Sequence, residues 1–432
     1  MRVLVVLVAV VAACYQPAAQ PGAPCSPAGD CPAGQMCDRS ATPPVCVAGG
    51  GGGGDGGDPI ECVDETTCPA DAPVCGAGTC RRCAADLECG IGICRELTGR
   101  CLPEADTLFV SPAGMDLGSS CTRAQPCATI AYALSLVLGT RRTVRVGNGI
   151  YPDRVEIKSP DGAAQPIVLS GEDSTPAGAE LGGGGNEGLS TDSNVIAEIE
   201  GLRFSDINNS GIISRGEVTL YRVAVVRSNG PGVDVRSGQI RILECTIAGG
   251  NQRGISVNGV DADIQRAVIT GNAGGGIEFS GSSSFTLINT IVGGNGSPMS
   301  NLGGISISGS STALAFRFNT IAGNLVSAGS SNRPGVQCNA PVAIDSTILT
   351  DNGTGDPISN ACAARYSLFS ANAPAGTGNR TGAAAFVSPT DLHITPASDA
   401  RDRADPNATE ARDVDNQVRS DERRDIGADE LQ

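Results

Sequence analysis

Short apolar segments separated by polar turns recur along the second half of the chain. The stretch TIAGGNQRGISV at residues 246–257 places an Asn and then a Gly between two apolar pieces. Closely similar stretches occupy residues 225–235, 268–279, 290–307 and 320–338, and a weaker one occupies residues 203–214. Their Asn residues recur at intervals of 21 to 29 positions. This period predicts one supersecondary unit that is stacked many times, with the insertions confined to one loop.

Within each repeat, alternation of side chains predicts a strand that points one set of residues inward and the other outward. The predicted inward set is aliphatic apart from one Phe: Ile212, Val233, Val235, Ile255, Val257, Ile277, Phe279, Ile305, Ile307 and Val336. The predicted outward set is mostly polar: Ile213, Asp234, Ser256, Glu278, Ser306 and Gln337. Stacked aliphatic residues would form the core of a solenoid.

The Asn residues of these turns form a predicted column with one member per coil: Asn208, Asn229, Asn251, Asn272, Asn295, Asn324 and Asn352. Asn tolerates left-handed backbone, and its side-chain amide can bond the same amide in the next coil. The pattern therefore predicts a structural column that marks the sharp turn of each coil. Cys245 stands where Val223 and Ala267 stand in the neighbouring coils, which predicts a buried free thiol.

A different pattern precedes the repeats. Apolar residues at helical spacing predict a helix over residues 130–138, and a strand is predicted to begin at Thr143. With the CT-x-x-x-PC element at residues 121–127 and V-x-V-G-N-G-x-Y at residues 144–151, this region resembles the opening of pectin-lyase-like proteins. The resemblance implies an all-β fold, a right-handed parallel β-helix solenoid at residues 106–390, whose first coil is covered by an N-terminal capping helix.

Four cysteines of this region are candidates for disulfides. Cys121 and Cys127 are near enough in sequence to pair. Cys338 and Cys362 could pair and close the last insertions.

The composition agrees with a β-rich chain in which acidic residues outnumber basic ones. The 432 residues include 59 Gly and only 3% aromatic residues, which argues against a large mixed α/β core. Lys and Arg number 30 against 46 Asp and Glu, giving a formal charge of −16. Because such a chain repels phosphate backbones, nucleic acid is not an expected partner.

The N-terminus predicts export and membrane attachment. Residues 1–13 combine one Arg with a short apolar run that ends in small residues, which is typical of a signal peptide. The order Val11-Ala12-Ala13-Cys14 resembles the bacterial lipoprotein signal, which implies cleavage before Cys14 and lipidation of that residue. The residue after Cys14 is Tyr15 rather than Asp, and in that family this favours the outer membrane. The expected location is therefore the outer membrane, with the lipid as the membrane contact.

Twelve cysteines follow in three groups of four: Cys25, Cys31, Cys37 and Cys46; Cys62, Cys68, Cys75 and Cys80; Cys83, Cys89, Cys94 and Cys101. They divide the segment into a first module at residues 14–48, a Gly-rich linker at 49–58 and two further modules at 59–104. The zinc alternative has only the Cys80-x-x-Cys83 pair, so disulfides are favoured. Their connectivity stays open, and the segment is predicted to be a disulfide-rich stalk.

The charged segment at residues 391–432 is predicted to be a C-terminal cap. Asp413-x-Asp415, Arg419 and the run from Asp425 to Glu430 resemble the end of the choice-of-anchor Q domain of bacterial surface β-helix proteins. Asn416 stands where that family has Gly. These charges could hold a cation, but self-pairing within the cap is favoured.

Two classes of function remain. Asp234, Arg236, Ser256 and Glu278 make up the candidate ligand face, and Tyr221 and Phe285 are its candidate exposed aromatic residues. Two coils at about 4.8 Å each separate the backbones of Asp234 and Glu278 by roughly 9.6 Å, at the edge of the range for an inverting glycosidase. The sequence favours a non-catalytic module for adhesion or glycan contact, with no cofactor and at most a weak calcium contact. The alternative is a carbohydrate-active enzyme, a lyase or hydrolase acting on acidic polysaccharide.

Overall fold

The computed structural model describes residues 35–38, 45–48, 60–62, 64–118, 120–158, 165–173, 176–182, 187–353, 357–419 and 423–432. The predicted signal peptide, Cys14, the Gly-rich linker at residues 49–58 and most of the first four-Cys module lie outside these residues. Among the described residues, no helix combines the length and the apolar character needed to cross a membrane.

Three long parallel sheets wind around one apolar core. Sheet 1 has eleven strands: Thr107–Val110, Thr143–Val146, Ile167–Gly171, Ile196–Glu200, Glu217–Tyr221, Gln239–Leu243, Asp261–Gln265, Ser284–Ile288, Thr312–Arg317, Val342–Asp345 and Cys362–Arg365. Sheet 2 also has eleven: Gly149–Tyr151, Ala179–Gly182, Leu202–Ser205, Ala224–Val226, Thr246–Ala248, Val268–Thr270, Ile291–Gly293, Thr320–Ala322, Ile348–Thr350, Leu368–Phe369 and Arg380–Thr381. Sheet 3 has eight: Val155–Ile157, Leu189–Thr191, Ile212–Ser214, Val233–Val235, Ile255–Asn258, Ile277–Ser280, Ile305–Ile307 and Val336–Cys338.

Each coil passes from sheet 1 through sheet 2 and sheet 3 and returns to sheet 1 one rung further along. The predicted fold class, an all-β right-handed parallel β-helix, is confirmed. The longer repeats place their extra residues between sheet 2 and sheet 3, as between Gly293 and Ile305. In these later repeats the insertions therefore lie on one side of the solenoid.

Strand alternation fills the interior. Val233, Val235, Ile255 and Val257 have no solvent exposure and belong to the main core cluster. Two side chains differ from expectation. Phe285 is buried rather than exposed, because its strand in sheet 1 points it inward, where its ring stacks on Phe279 with centroids 3.8 Å apart. Ile213, expected to face outward, is 0% exposed although it lies outside the main core cluster.

A Gly precedes every strand of sheet 3 except the first, and close approach of neighbouring atoms requires it. A Cβ at Gly254 would lie 2.6 Å from Cγ2 of Ile269, which fills the interior of the next coil. The same contact recurs at Gly232 with Ile247. Any larger residue would push a core side chain out of place.

The first coil is covered by the helix Ile130–Ser135, which contacts strands of sheets 1 and 3. The side chain of Thr129 caps it by accepting from the amide of Tyr132 at 3.2 Å. The helix is shorter than predicted, since Leu138 follows it in a turn and is 67% exposed. A disulfide between Cys121 and Cys127 lies beside it, and Cys338 is joined to Cys362 near the last coils.

The described Cys-rich modules are small hairpins stapled by disulfides. The second module contains the hairpin Val74–Gly76 with Thr79–Arg81 and the 3-10 helix Glu65–Thr67. The third contains Ile93–Arg95 with Arg100–Leu102 and the 3-10 helix Asp86–Cys89, and a further 3-10 turn, Glu104–Asp106, leads into sheet 1. Their bonds are Cys62–Cys75, Cys68–Cys80, Cys83–Cys94 and Cys89–Cys101. Each module thus joins its first Cys to its third and its second to its fourth. In the first module, the backbone of Gln35–Asp38 pairs antiparallel with Val45–Ala48.

The C-terminal segment folds back along the outer face of sheet 2 instead of continuing the solenoid. It contains a hairpin of Phe386–Ser388 with Asp391–Ile394. Apolar outward residues of the last coils, Ile291, Ala322, Ile348 and Leu368, pack against Leu392, Ile394, Val414, Ile426 and Ala428 of this segment. The cap therefore covers one flank of the late coils.

Candidate functional site

The predicted ligand face lies on the outer surface of sheet 3. Asp234, Ser256 and Glu278 occupy successive rungs, since Asp234 pairs in register with Ser256 and Ser256 with Glu278. Arg236 follows the end of its strand, two residues after Asp234. The structure thus brings Asp234, Ser256 and Glu278 into one column with Arg236 beside it, and the two carboxylates stand two rungs apart.

Both carboxylates of this face are already paired. Asp234 Oδ2 lies 2.7 Å from Arg236 Nη2. Glu278 Oε2 lies 3.0 Å from Nε of Arg253, a residue that the sequence patterns did not single out. Arg253 precedes Gly254 at the opening of the strand between the two acids, and that position is the signal that could have identified it. The charges of this face are neutralised locally.

The face offers little for acid–base chemistry. A general acid and base must reach the same scissile bond, and these carboxylates instead engage different arginines on different rungs. The two aromatic candidates do not join them. Phe285 lies in the interior, and Tyr221 lies in sheet 1, where burial raises the pKa of its hydroxyl to about 12.

The predicted Asn column divides into two. Asn272, Asn295, Asn324 and Asn352 are buried and form a continuous ladder. Their side-chain amides donate from one coil to the next over 3.0, 3.1 and 2.9 Å, and each acceptor oxygen also takes the backbone amide of the preceding Asn. Each Nδ2 group that donates also reaches a backbone carbonyl in the coil before. These bonds satisfy groups that no water reaches.

Asn229 and Asn251 stand one position later and are exposed, as is Asn208. Strand register places Ser228 and Gly250 at the ladder position in those coils, because the turn GGN at residues 249–251 has one residue more before its Asn than GN at 271–272. Asn251 still donates to Asn229 at 2.6 Å, on the surface.

The left-handed residue is also not the Asn. It is the residue before each ladder Asn, Gly271, Gly294, Gly323 or Asp351, with φ between 55° and 67°. A Gly there avoids the strain of a Cβ in left-handed backbone. Asn therefore contributes its amide rather than its backbone freedom.

Asn319 is a further buried amide, and the repeat pattern does not predict it because it lies outside the Asn-Gly turns. It accepts from the backbone of Thr290 at 3.0 Å and donates to the carbonyl of Leu287 at 3.0 Å. Cys245 lies at the same corner in an earlier coil, free and buried, and burial raises the pKa of its thiol to about 12. A thiol held neutral in this way is not a nucleophile.

The junction between the third Cys module and the β-helix concentrates perturbed charges. Arg95 pairs with Glu198, Asp86 lies 2.9 Å from Arg145, and Glu96 lies 2.8 Å from Arg222. Burial there raises the pKa of Glu200 to about 7. The cavity at this junction is only about 10 Å³, enough for about one water molecule. The ion pairs hold the third Cys module to the β-helix, and the cavity between them has no room for a substrate.

Residues of the C-terminal motif converge on one buried arginine. The Arg419 side chain is fully buried and lies 2.6 Å from Glu430 Oε2. It also donates to Asn289 Oδ1 at 3.1 Å and to the carbonyl of Gly427 at 2.8 Å, and its guanidinium stacks 4.5 Å from the Phe318 ring centroid. Asp413 accepts from the backbone of Gln417, and Asp425 from that of Asp402. The motif therefore pins the tail to the late coils.

His393 sits beside this motif between two carboxylates. Nε2 lies 3.1 Å from Asp415 and Nδ1 lies 2.5 Å from Asp391, and these bonds, that of Asp415 first, raise its pKa to about 10. Ligand atoms of His393, Asp415 and Asp429 lie within 4.8 Å of one another, so the group could hold a metal ion. In the described structure the imidazole lies beside the carboxylates of Asp391 and Asp415.

Comparison with known proteins identifies the fold. A family model described as DUF1565, a protein of unknown function, matches residues 112–368. The crystal structure of pectate lyase Pel9A superposes with a TM-score of 0.54 at 13% identity, covering 76% of this chain and 96% of that one. Pectin methylesterase from Aspergillus niger gives a TM-score of 0.35 at 12% identity, covering 69% of this chain and 92% of that one. No curated protein matches the sequence.

Proposed function

The chain belongs to the DUF1565 family, whose function is unknown, and we propose that it is a lipid-anchored surface protein that contacts glycans without cleaving them. One observation carries the proposal: the acidic residues of the sheet 3 face are each engaged by an arginine on their own rung or beside it. A face built in this way can donate and accept hydrogen bonds along many rungs. It lacks a pair of groups aimed at one bond.

The anchor is proposed from the N-terminal sequence. Val11-Ala12-Ala13-Cys14 supplies a lipoprotein-type cleavage and lipidation site, and Tyr15 favours the outer membrane as the destination. Disulfides in the second and third modules fit an oxidising compartment outside the cytoplasm. The modules would then hold the β-helix away from the membrane surface.

The C-terminus is proposed to be a choice-of-anchor Q type cap whose role is structural. Its motif residues form their hydrogen bonds within the cap and with the late coils, and the buried Arg419 lies at the centre. No nucleic acid partner and no cofactor are proposed. Calcium would be a weak surface contact at Asp234 and Glu278.

The alternative, an enzyme acting on acidic polysaccharide, draws only on the fold. The pectate lyase likeness at 13% identity concerns the arrangement of coils and carries no residue roles. We therefore keep this alternative as an outcome of the test.

The test combines localisation and turnover on the full-length protein. We expect the wild type to partition with membranes and the Cys14→Ala variant to remain soluble or uncleaved. Pectate and alginate with calcium should bind without release of unsaturated or reducing ends. Turnover that disappears in both Asp234→Asn and Glu278→Gln would establish the enzyme instead. A Cys14→Ala variant that is still cleaved and still membrane-bound would contradict the lipid anchor.

A further inference from the structure

An open cleft of about 370 Å³ lies where the last coils meet the C-terminal segment. Tyr366 and Gly378 line it from the coils, together with Arg380. Arg403, Arg423 and Arg424 line it from the C-terminal segment, and Asp402 is the carboxylate among its described lining residues. Four guanidinium groups around one cleft stand out in a chain whose formal charge is −16.

These guanidinium groups are not neutralised in the part of the chain that the structure describes. Arg403 and Arg423 are exposed and make no hydrogen bond or ion pair with a described residue. Arg380 donates to the carbonyl of Asp399, and Arg424 donates to the carbonyls of Ala408 and Glu410 at 2.8 and 2.9 Å. Carbonyls fix the direction of a guanidinium without cancelling its charge.

Nearby arginines show what a neutralised site looks like. Arg365, on the last strand of sheet 1, lies 2.6 Å from Asp345 and 3.4 Å from Asp405. Arg317, two coils earlier, pairs with Glu410. The cleft thus differs from its surroundings in leaving positive charge available to a ligand.

We propose that this cleft binds the carboxylate groups of an acidic polysaccharide. Planar guanidinium groups bind carboxylates through paired hydrogen bonds, and the volume is in the range of small-ligand sites. This inference rests on the proposed function for the choice of a glycan, and extends it to a named site and a charge class.

The Tyr366 ring favours a sugar over a simple anion. Gly378 leaves room for the ring, because a Cβ there would lie 2.3 Å from Tyr366 Cδ1. Tyr366 is half-buried and lines the cleft, so one apolar surface lies among the charges. A pyranose ring can pack on such a surface while its carboxylate meets an arginine. The overall acidity of the chain opposes a long nucleic acid.

The test measures binding of oligogalacturonate to the full-length protein in detergent. Arg403→Gln with Arg423→Gln removes the two arginines that make no hydrogen bond or ion pair with a described residue. Arg227→Gln with Arg241→Gln is the matched control, because both side chains are 55% exposed and the charge change is the same. We expect the cleft variant to bind at least about tenfold more weakly, and the control to bind within about twofold of wild type.

The outcomes separate the cleft from the general function. Equal affinities for the two double variants would contradict binding at the cleft, while leaving glycan contact elsewhere on the protein intact. Binding that survives methyl esterification of the oligosaccharide would do the same, because the carboxylates would not be needed. If the wild type does not bind oligogalacturonate, binding at the cleft is contradicted as well. Tighter binding of inorganic sulfate or of a single-stranded oligonucleotide than of oligogalacturonate would reject the polysaccharide as the ligand.

Discussion

One corner of the β-helix receives segments from both ends of the chain, and its residues differ between the early and the late coils. The corner residue has left-handed backbone, with φ of 46–55° in six successive coils: Arg222, Glu244, Arg266, Asn289, Phe318 and Ser346. The first three are charged and the last three are not. Because the backbone is the same throughout, the difference lies in what covers each half.

The early half of the corner is a short ladder of ion pairs near solvent. Glu244 lies 2.9 Å from Arg222 and 3.3 Å from Arg266. Arg222 also reaches Glu96 of the third Cys module. These charges stay partly hydrated, so each pair contributes little to stability.

The late half of the corner is covered by the C-terminal segment. Asn289 donates to the carbonyl of Arg412, and Phe318 lies under the guanidinium of Arg419. The backbone of Ser346 accepts from Gly427 at 2.9 Å. Here the side chains are buried, so a lost partner leaves an unsatisfied group. The comparison predicts that damage to the late half costs more.

The largest effect is expected for Arg419→Ala. Removing this cation leaves the Glu430 carboxylate, 3% exposed, without the arginine that balances its charge, and breaking a buried pair costs about 3–5 kcal/mol. The free energy of unfolding should fall by that amount in denaturant titrations. Arg222→Ala, at the early half of the same corner, is the control. Equal losses for the two variants would contradict the comparison.

The next effect concerns the two kinds of Asn. Asn295→Leu removes a buried amide that accepts from Asn272 and donates to the next coil, and we expect a cost of about 1–3 kcal/mol. Asn251→Leu changes an exposed amide and should cost less than about 0.5 kcal/mol. Denaturant midpoints of the two variants are the measurement. A larger shift for Asn251→Leu would mean that the surface pair, not the buried ladder, stabilises the turns.

These two Asn residues also show how far the sequence could lead. The period and the alternation were enough to predict the coils, because Val233 and its equivalents must fill one interior. They could not separate Asn251 from Asn272, since a shift of one residue in a turn changes burial without changing composition. Arg253 and the corner contacts of Arg419 depend on residues brought together by folding. The place of Arg253 before Gly254 is visible in the sequence, but its contact with Glu278 is not.

The late half should show a pH effect in the alkaline range. The pKa of His393 is raised from 6.5 to about 10 by Asp415 and Asp391, so the folded chain retains a proton that the unfolded chain releases. This contribution is complete below pH 6.5 and is lost as the pH rises through about 10. The raised pKa of Asp413, about 6, acts in a separate, more acidic window.

We therefore expect thermal stability to fall between pH 6.5 and 10 in the wild type and to fall less in His393→Gln. Asp206→Asn in the early coils is the control, because hydrogen bonds from Arg227 lower the pKa of Asp206 and it titrates only in acid. Parallel curves for wild type and His393→Gln would show that the imidazole does not carry the proton.

The smallest effect is expected for Arg222→Gln, and it sharpens the comparison from the other side. Arg222 bridges Glu244 and Glu96 with 36% of its side chain exposed, so water and salt compete for both pairs. We expect a loss of about 0–1 kcal/mol that shrinks as the salt concentration rises, because screening weakens the wild-type pairs as well. Denaturant titrations at low and high salt would measure this loss.

Since Glu96 belongs to the third Cys module, protease sensitivity of that module should rise in the same variant while the late coils stay protected. A loss that persists unchanged in high salt would show that Arg222 stabilises the corner by packing on Tyr221, whose ring centroid lies 4.9 Å from the guanidinium, rather than by charge.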